Sequence, residues 1–352
     1  MNEKKSIFQM RIAEFPFITL FFLIMLGSIM DFLAPIMMFN NATNVAHMTR
    51  EMTFILLLAM GQAIVIISGN LDLSIGAVVG ISAMIFGVLV EREVGLGVAI
   101  IVALAFCLVI GGINGILVAK CKCMLPNTSS KFVTLVSLKL PSIVITFITG
   151  WLVLRLRGII DGPYYRMISL GEAVRLERST LLIIFFLSLV LLIVLWIILE
   201  VSKVGKGIYA LGNALDLRKL PVRDVMLKTV KCYMVSALFA GLAGLYMGFR
   251  IGAVSPLVGI DVIELTVLVA IIGGISIRGG QGLFIGVLIG VLYEVILRNG
   301  LVLLNVGAQS ARIIIFTLLI ILAVLNIGQS IFIRRAREKV SSQTPSTVEQ
   351  NQ

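Results

Sequence analysis

Charged side chains are scarce in this chain: they make up 13% of 352 residues, about half of what a water-soluble domain carries. With 59% hydrophobic residues and a mean hydropathy of +1.10, this excludes a soluble globular domain and leaves a polytopic membrane protein. Histidine is almost missing. His47 is the only one, so no Ser-His-Asp or Cys-His nucleophilic set is in sight. The four cysteines, Cys107, Cys121, Cys123 and Cys232, show no extracellular spacing, which argues against a disulfide framework. Cys121-Lys122-Cys123 has no nearby imidazole, so no metal site is expected, and no cofactor is implied. No GxxxxGK[ST] phosphate loop occurs; if ATP drives this protein, another subunit hydrolyses it. The net charge of +11 would suggest a nucleic-acid partner in a soluble chain. Here the basic residues sit in short connections between apolar runs, where they orient helices, and no nucleic acid is expected.

What is present is long apolar runs. Ten of them, at 15–36, 52–68, 73–90, 96–118, 141–157, 180–199, 231–249, 262–277, 283–304 and 311–333, are candidate spans. Some are short against the ~20 residues of a straight crossing, which points to broken or tilted helices. The fold expected is therefore an all-α polytopic membrane protein of about ten transmembrane helices. Of the 29 Lys and Arg, nineteen fall in segments that lie inside if the N-terminus is cytoplasmic, so the positive-inside rule puts both termini in the cytoplasm. Segment 155–179 disagrees, with five arginines, and is long enough to be a folded external loop. The organisation that follows is a charged cytoplasmic segment 1–14, read as preceding an uncleaved first helix. A transmembrane domain 15–333 comes next, and then a tail 334–352 that is first basic and then polar and disordered.

Glycine recurs at four-residue spacing, as at Gly111 and Gly115 or Gly282, Gly286 and Gly290, which lets helices approach closely in lipid. Two places differ. Ile66-Ile67-Ser68-Gly69 precedes Asn70, Asp72 and Ser74, and Ile271-Ile272-Gly273-Gly274 precedes Ser276. Each follows an apolar run and is followed by a glycine-spaced one. Such interruptions mark a permeation path, because irregular backbone at membrane depth needs a cavity or protein around it; two ordinary cytoplasmic turns explain them equally well. Asn70, Asp72, Ser74, Gly273, Gly274 and Ser276 are the path candidates. Asp72 has two explanations: a helix cap accepting from the N–H groups of Ser74 and Ile75, or a solute contact flanked by Asn70 and Ser74.

The longest inside loop, 200–231, carries seven basic and three acidic residues, and its length suggests structure with a task. The runs LLLAMGQAIVIISGNLDLSIGAVVGISAM (57–84), GIYALGNALDLRKLPV (207–222) and LVAIIGGISIRGGQGLFIGVLIGVL (268–292) together resemble the permeases of bacterial ABC sugar importers. The ribose, arabinose and xylose permeases and the autoinducer-2 permeases are the close relatives. Gly69, Asp72, Leu73, Ser74 and Gly76 match the family's Gly-x-Ile-Asp-Leu-Ser-Val-Gly pattern; Gly273, Gly274, Gly279, Gly280 and Gly282 match its double-glycine run; Tyr209, Ala210, Gly212, Asn213 and Arg218 match its cytoplasmic loop.

The resemblance implies a plasma-membrane permease that pairs with a second permease chain, homologous or identical. It also implies two ABC ATPase subunits and a solute-binding protein that delivers a sugar or sugar-like molecule. Gly205, Tyr209, Ala210, Gly212, Asn213 and Arg218 would then couple to the ATPase. The chain departs from the family at Asp216-Leu217, at Pro221 and in 121–137, which reads as an insertion before Leu138-Lys139-Leu140-Pro141. The competing class, a carrier driven by an ion or proton gradient, needs carboxylates inside the bundle; Asp31, Asp72, Glu264 and Glu294 are the candidates. A channel would need a repeated filter element, which is not seen.

Overall fold

A backbone in lipid must satisfy its own hydrogen bonds, and a helix does so within one segment. The computed structural model accordingly consists almost wholly of helices. It describes residues 16–37, 39–124, 131–161, 167–171, 174–213, 220–255 and 257–343. Among them are eleven α-helices: α1 Phe17–Met37, α2 Ala42–Ile67, α3 Ile75–Glu91, α4 Leu96–Met124, α5 Lys131–Asp161 and α6 Arg178–Val201, then α7 Lys203–Asn213, α8 Val222–Ile251, α9 Ile263–Ile272, α10 Val287–Leu303 and α11 Ala308–Gln343. Seven helical segments are long and apolar enough to cross a membrane, and three more apolar ones, in α1, α3 and α9, are shorter. Each of the ten apolar runs of the sequence is mostly helical, one helix to a run, and the eleventh helix is α7 in the 200–231 loop.

The boundaries move in an instructive way. The second span, expected to be short at 52–68, has 26 residues, about 39 Å; it begins ten residues early in polar sequence, where Asn41 Oδ1 accepts from Thr43 N–H at 2.9 Å and starts the helix. The fifth begins at Lys131 instead of 141, carries Pro141 inside it and absorbs the second half of the stretch read as an insertion. The third begins at Ile75 instead of 73. At the C-terminal end α11 continues to Gln343, so the region expected to be tail starts as helix, and 344–352 fall outside the described residues.

Helix directions alternate so that the described lysines gather at one end, called here the basic end, while the arginine-rich 155–179 segment lies at the other. The last residues of α2, α4 and α9 meet there, and Asn44, Arg50, Arg250 and Asn299 meet at the opposite end. α8 lies at the centre, packed against α4, α2 and α3. Glycine makes the closest of these crossings possible: a Cβ on Gly115 would sit 2.5 Å from Val230 Cα, and one on Gly111 2.6 Å from Tyr233 O. Lipid gives helices no hydrophobic drive to associate, so such close van der Waals approach holds the bundle instead. At the opposite end β1 Ile168–Ser169 pairs antiparallel with β2 Ala253–Val254, Ile168 facing Val254. Ile168, Leu170, Val174 and Val254 bury themselves with Phe86 in a second apolar cluster, so the arginine-rich 155–179 segment contains folded structure.

Candidate functional site

The two glycine interruptions and the 200–231 loop, three regions singled out in the sequence, come together at the basic end. The first break, residues 68–74, is enclosed by three helices that supply what its backbone lacks. From α5, Ser142 Oγ accepts from Leu71 N–H at 3.2 Å and Thr146 Oγ1 from Leu73 N–H at 3.0 Å. From α8, Tyr233 donates its hydroxyl to Leu71 O at 3.0 Å. From α4, Lys122 donates to Gly69 O at 3.2 Å and Asn114 Nδ2 to Ser74 Oγ at 2.9 Å. Each is a polar residue inside an apolar helix, which was the only sequence signal for it, and none was picked out as part of this site.

Asp72 sits inside that enclosure, 2% exposed. Its Oδ1 accepts from Ser74 N–H at 2.9 Å and from Ser74 Oγ–H at 2.6 Å, and its Oδ2 accepts from Ser236 Oγ–H of α8 at 3.1 Å. The carboxylate therefore closes a turn ahead of α3 and ties it to α8. The bond to Ser74 N–H is the one expected of a cap; none from Ile75 is formed, because the helix starts at Ile75, two residues later than expected. Asn70 and Ser74 are equally buried, and Asn70 Nδ2 donates to Ser68 Oγ at 2.8 Å.

The second break, 273–282, is a hairpin between α9 and α10 in which Ser276 N–H donates to Gln281 O at 3.1 Å. It lies directly on the first: Gly280 N–H donates to Ile67 O at 2.7 Å, and a Cβ on Gly279 would be 2.5 Å from Gly69 Cα. Gly69 at φ 81° and Gly279 at φ 86° occupy the left-handed region that only glycine enters at little cost. Lys139 of α5 donates to Ile277 O on the far side of the hairpin. Gly273 is buried, packed against Gly286 O, while Gly274 and Ser276 are half-buried.

α7 caps the junction and divides the residues expected to couple to an ATPase into two groups. Tyr209 donates its hydroxyl to Gly282 O at 2.9 Å and Asn213 Nδ2 donates to Gly280 O at 2.8 Å. Gly212 presses on Ile67 O so closely that no Cβ would fit, and Gly205 is buried against Leu199. These four face the membrane domain. Ala210 is exposed on the other face, with Lys203, Val204 and Lys206. Arg218 lies outside the described residues, as do Asp216 and Leu217.

Of the four carboxylates that an ion-coupled carrier could use, Asp31 and Glu264 are exposed and Asp72 is enclosed as above. Glu294 is buried and pairs with Arg298 at 2.5 Å.

Residues 44–324 match the family described as branched-chain amino acid transport system, permease component. The chain belongs to that family. A ribose import permease of Haemophilus influenzae is 28% identical over 82% of this chain and 85% of its own length. One from Bacillus subtilis is 29% identical over 88% and 91%, and an autoinducer 2 import system permease of Photorhabdus luminescens is 29% identical over 72% of each chain. No solved structure matches. The protein is thus a multi-pass membrane permease of the ABC-importer kind, a family that works with ATPase and solute-binding partners.

Proposed function

We propose that this chain is the membrane-spanning subunit of an importer for a sugar or sugar-like solute, with transport as its whole activity and ATP hydrolysis supplied by separate subunits. Both termini and α7 face the cytoplasm, a solute-binding protein delivers the solute to the opposite end, and a second permease chain completes the path. The observation that carries the reading is the junction of α7 with the two breaks: Tyr209 and Asn213 are bonded to the 273–282 hairpin, which is bonded to the end of α2. An ATPase that moves α7 therefore moves the cytoplasmic closure of the path, formed by the segments holding Asn70, Asp72, Ser74, Gly273, Gly274 and Ser276. The outward face of α7, with Ala210 at its middle, is where the ATPase docks.

The test is reconstitution in vesicles with the partner ATPase and solute-binding protein. Uptake is expected to require ATP, and Ala210→Asp, which places a charge on the docking face, is expected to abolish uptake in a protein that still purifies folded. Accumulation by the permease alone from an ion gradient would transfer the assignment to the gradient-driven carriers.

A further inference from the structure

α2 is walled by protein. All sixteen residues from Met52 to Ile67 are buried, and only two have polar side chains. Thr53 donates its hydroxyl to Thr49 O within the helix at 2.9 Å. Gln62 is 0% exposed, and neither its Oε1 nor its Nε2 has a hydrogen-bond partner. Asn70 and Asn114 each leave an oxygen unpaired but donate through nitrogen. Among the described residues Gln62 is the one carboxamide buried with neither end satisfied. Burying such a group is unfavourable, and replacing it by an apolar group of the same shape would be neutral or stabilising. A frame-building role therefore does not explain it.

Its place on α2 does suggest a role. Gln62 follows Asn44 by 18 residues, about five turns, and so lies on the same face. Asn44 exchanges hydrogen bonds with Asn299 of α10 at 2.8 and 2.9 Å, and α10 is packed along α2. Asn44 also lines a hollow of about 320 Å³ at the opposite end, together with Asn41, Thr43, His47, Arg50 and Leu303. α10 carries another buried acceptor oxygen without a partner, Glu294 Oε2, whose Oε1 is bonded to Arg298. One face of α2 thus leads from an open polar hollow to a sealed, unsatisfied carboxamide one to two turns short of the first break.

We infer that Gln62 is a solute-contact residue, its carboxamide pairing with hydroxyl groups of a neutral polyhydroxylated solute when α2 and α10 separate during transport. A carboxamide both donates and accepts, as a hydroxyl does, and the solute replaces the partner that the closed state lacks. This rests on the importer reading above and adds to it the residue that reads the solute.

The experiment compares wild type, Gln62→Leu and Gln62→Met, each reconstituted with ATPase and solute-binding protein and offered labelled D-ribose and a panel of other pentoses and hexoses. The expected result is a thermal midpoint equal to or above wild type, binding-protein-stimulated ATP hydrolysis that persists, and an uptake rate at saturating loaded binding protein lowered at least tenfold. Unchanged uptake overturns the inference. So does a lowered midpoint in both variants, which would make Gln62 part of the frame, or parallel loss of ATP hydrolysis, which would make it part of coupling. Wild type that accumulates no sugar overturns the importer reading itself, and this inference with it.

Discussion

The chain is interrupted twice at its basic end, and the two interruptions are held by different helices except that α5 reaches both, through Ser142 and Thr146 to the first and through Lys139 to the second. Residues 68–74 are tied by side chains to three long helices, α4, α5 and the central α8. Residues 273–282 are tied by Tyr209 and Asn213 to α7, a short helix with one face exposed. They meet at Gly280 N–H and Ile67 O. A break anchored to the frame stays with the frame; a break anchored to a surface helix moves when that helix moves. On the importer reading proposed above, the first is then the fixed side of the closure and the second its moving side.

The contact between the two sides is where the largest effect is expected. Gly279→Val puts a β-branched side chain at φ 86° with its Cβ 2.5 Å from Gly69 Cα. The backbone strain alone is on the order of 1–3 kcal/mol, and the collision forces the two breaks apart. Little monodisperse protein should survive detergent extraction and size-exclusion chromatography. Gly112→Ala, where the nearest atom is 4.0 Å away, should be recovered like wild type. Equal recovery of both would mean that the breaks do not need this contact.

Asp72 comes next, on the fixed side. Asp72→Ala leaves Ser74 N–H and the Ser74 and Ser236 hydroxyls without their acceptor in a buried place, a loss of about 1–3 kcal/mol. Asp72→Asn keeps one acceptor oxygen and should lose well under half of that. Thermal unfolding followed by tryptophan fluorescence or thiol-dye reaction orders the two. If both variants unfold like wild type but transport poorly at low solute, Asp72 touches the solute.

The apolar helices and their order were legible in the sequence, because hydropathy reports the apolar depth of each span directly. Their ends were not. Ala42 to Glu51 form nearly three turns of α2 that lie where polar side chains reach water or Asn299, and hydropathy sees no helix in them. α7 was equally hidden, since Gly205 and Gly207 lower helix propensity and only packing explains them, Gly205 against Leu199 and Gly207 against the Lys228 side chain. At the site, Asp72 and its bond to Ser74 were legible because they are local. Ser142, Thr146, Asn114, Tyr233 and Ser236 were not, being single polar residues on helices brought together only by the fold. Gln62 carried no local pattern and stands out only once its surroundings are known to offer it nothing.

The smallest change gives the sharpest comparison. Tyr233 and Tyr209 each donate one hydroxyl to a backbone carbonyl of a break, Leu71 O at 3.0 Å and Gly282 O at 2.9 Å. Substitution by Phe removes the same group from both, a change of about 0.5–1.5 kcal/mol in each case. If the breaks were equivalent, the two variants would behave alike. With a fixed and a moving side they should separate. Tyr233→Phe should lower the thermal midpoint by a few degrees and leave uptake per ATP hydrolysed unchanged, because the segment is still held by Ser142, Thr146 and Lys122. Tyr209→Phe should shift the midpoint no further but lower uptake per ATP hydrolysed severalfold, because α7 then holds the hairpin through Asn213 with one bond fewer. The ratio of solute taken up to phosphate released, measured in the same vesicles, reads the difference directly. Equal ratios in the two variants would show that α7 and the frame hold the breaks in the same way, and the distinction between a fixed and a moving side would be lost.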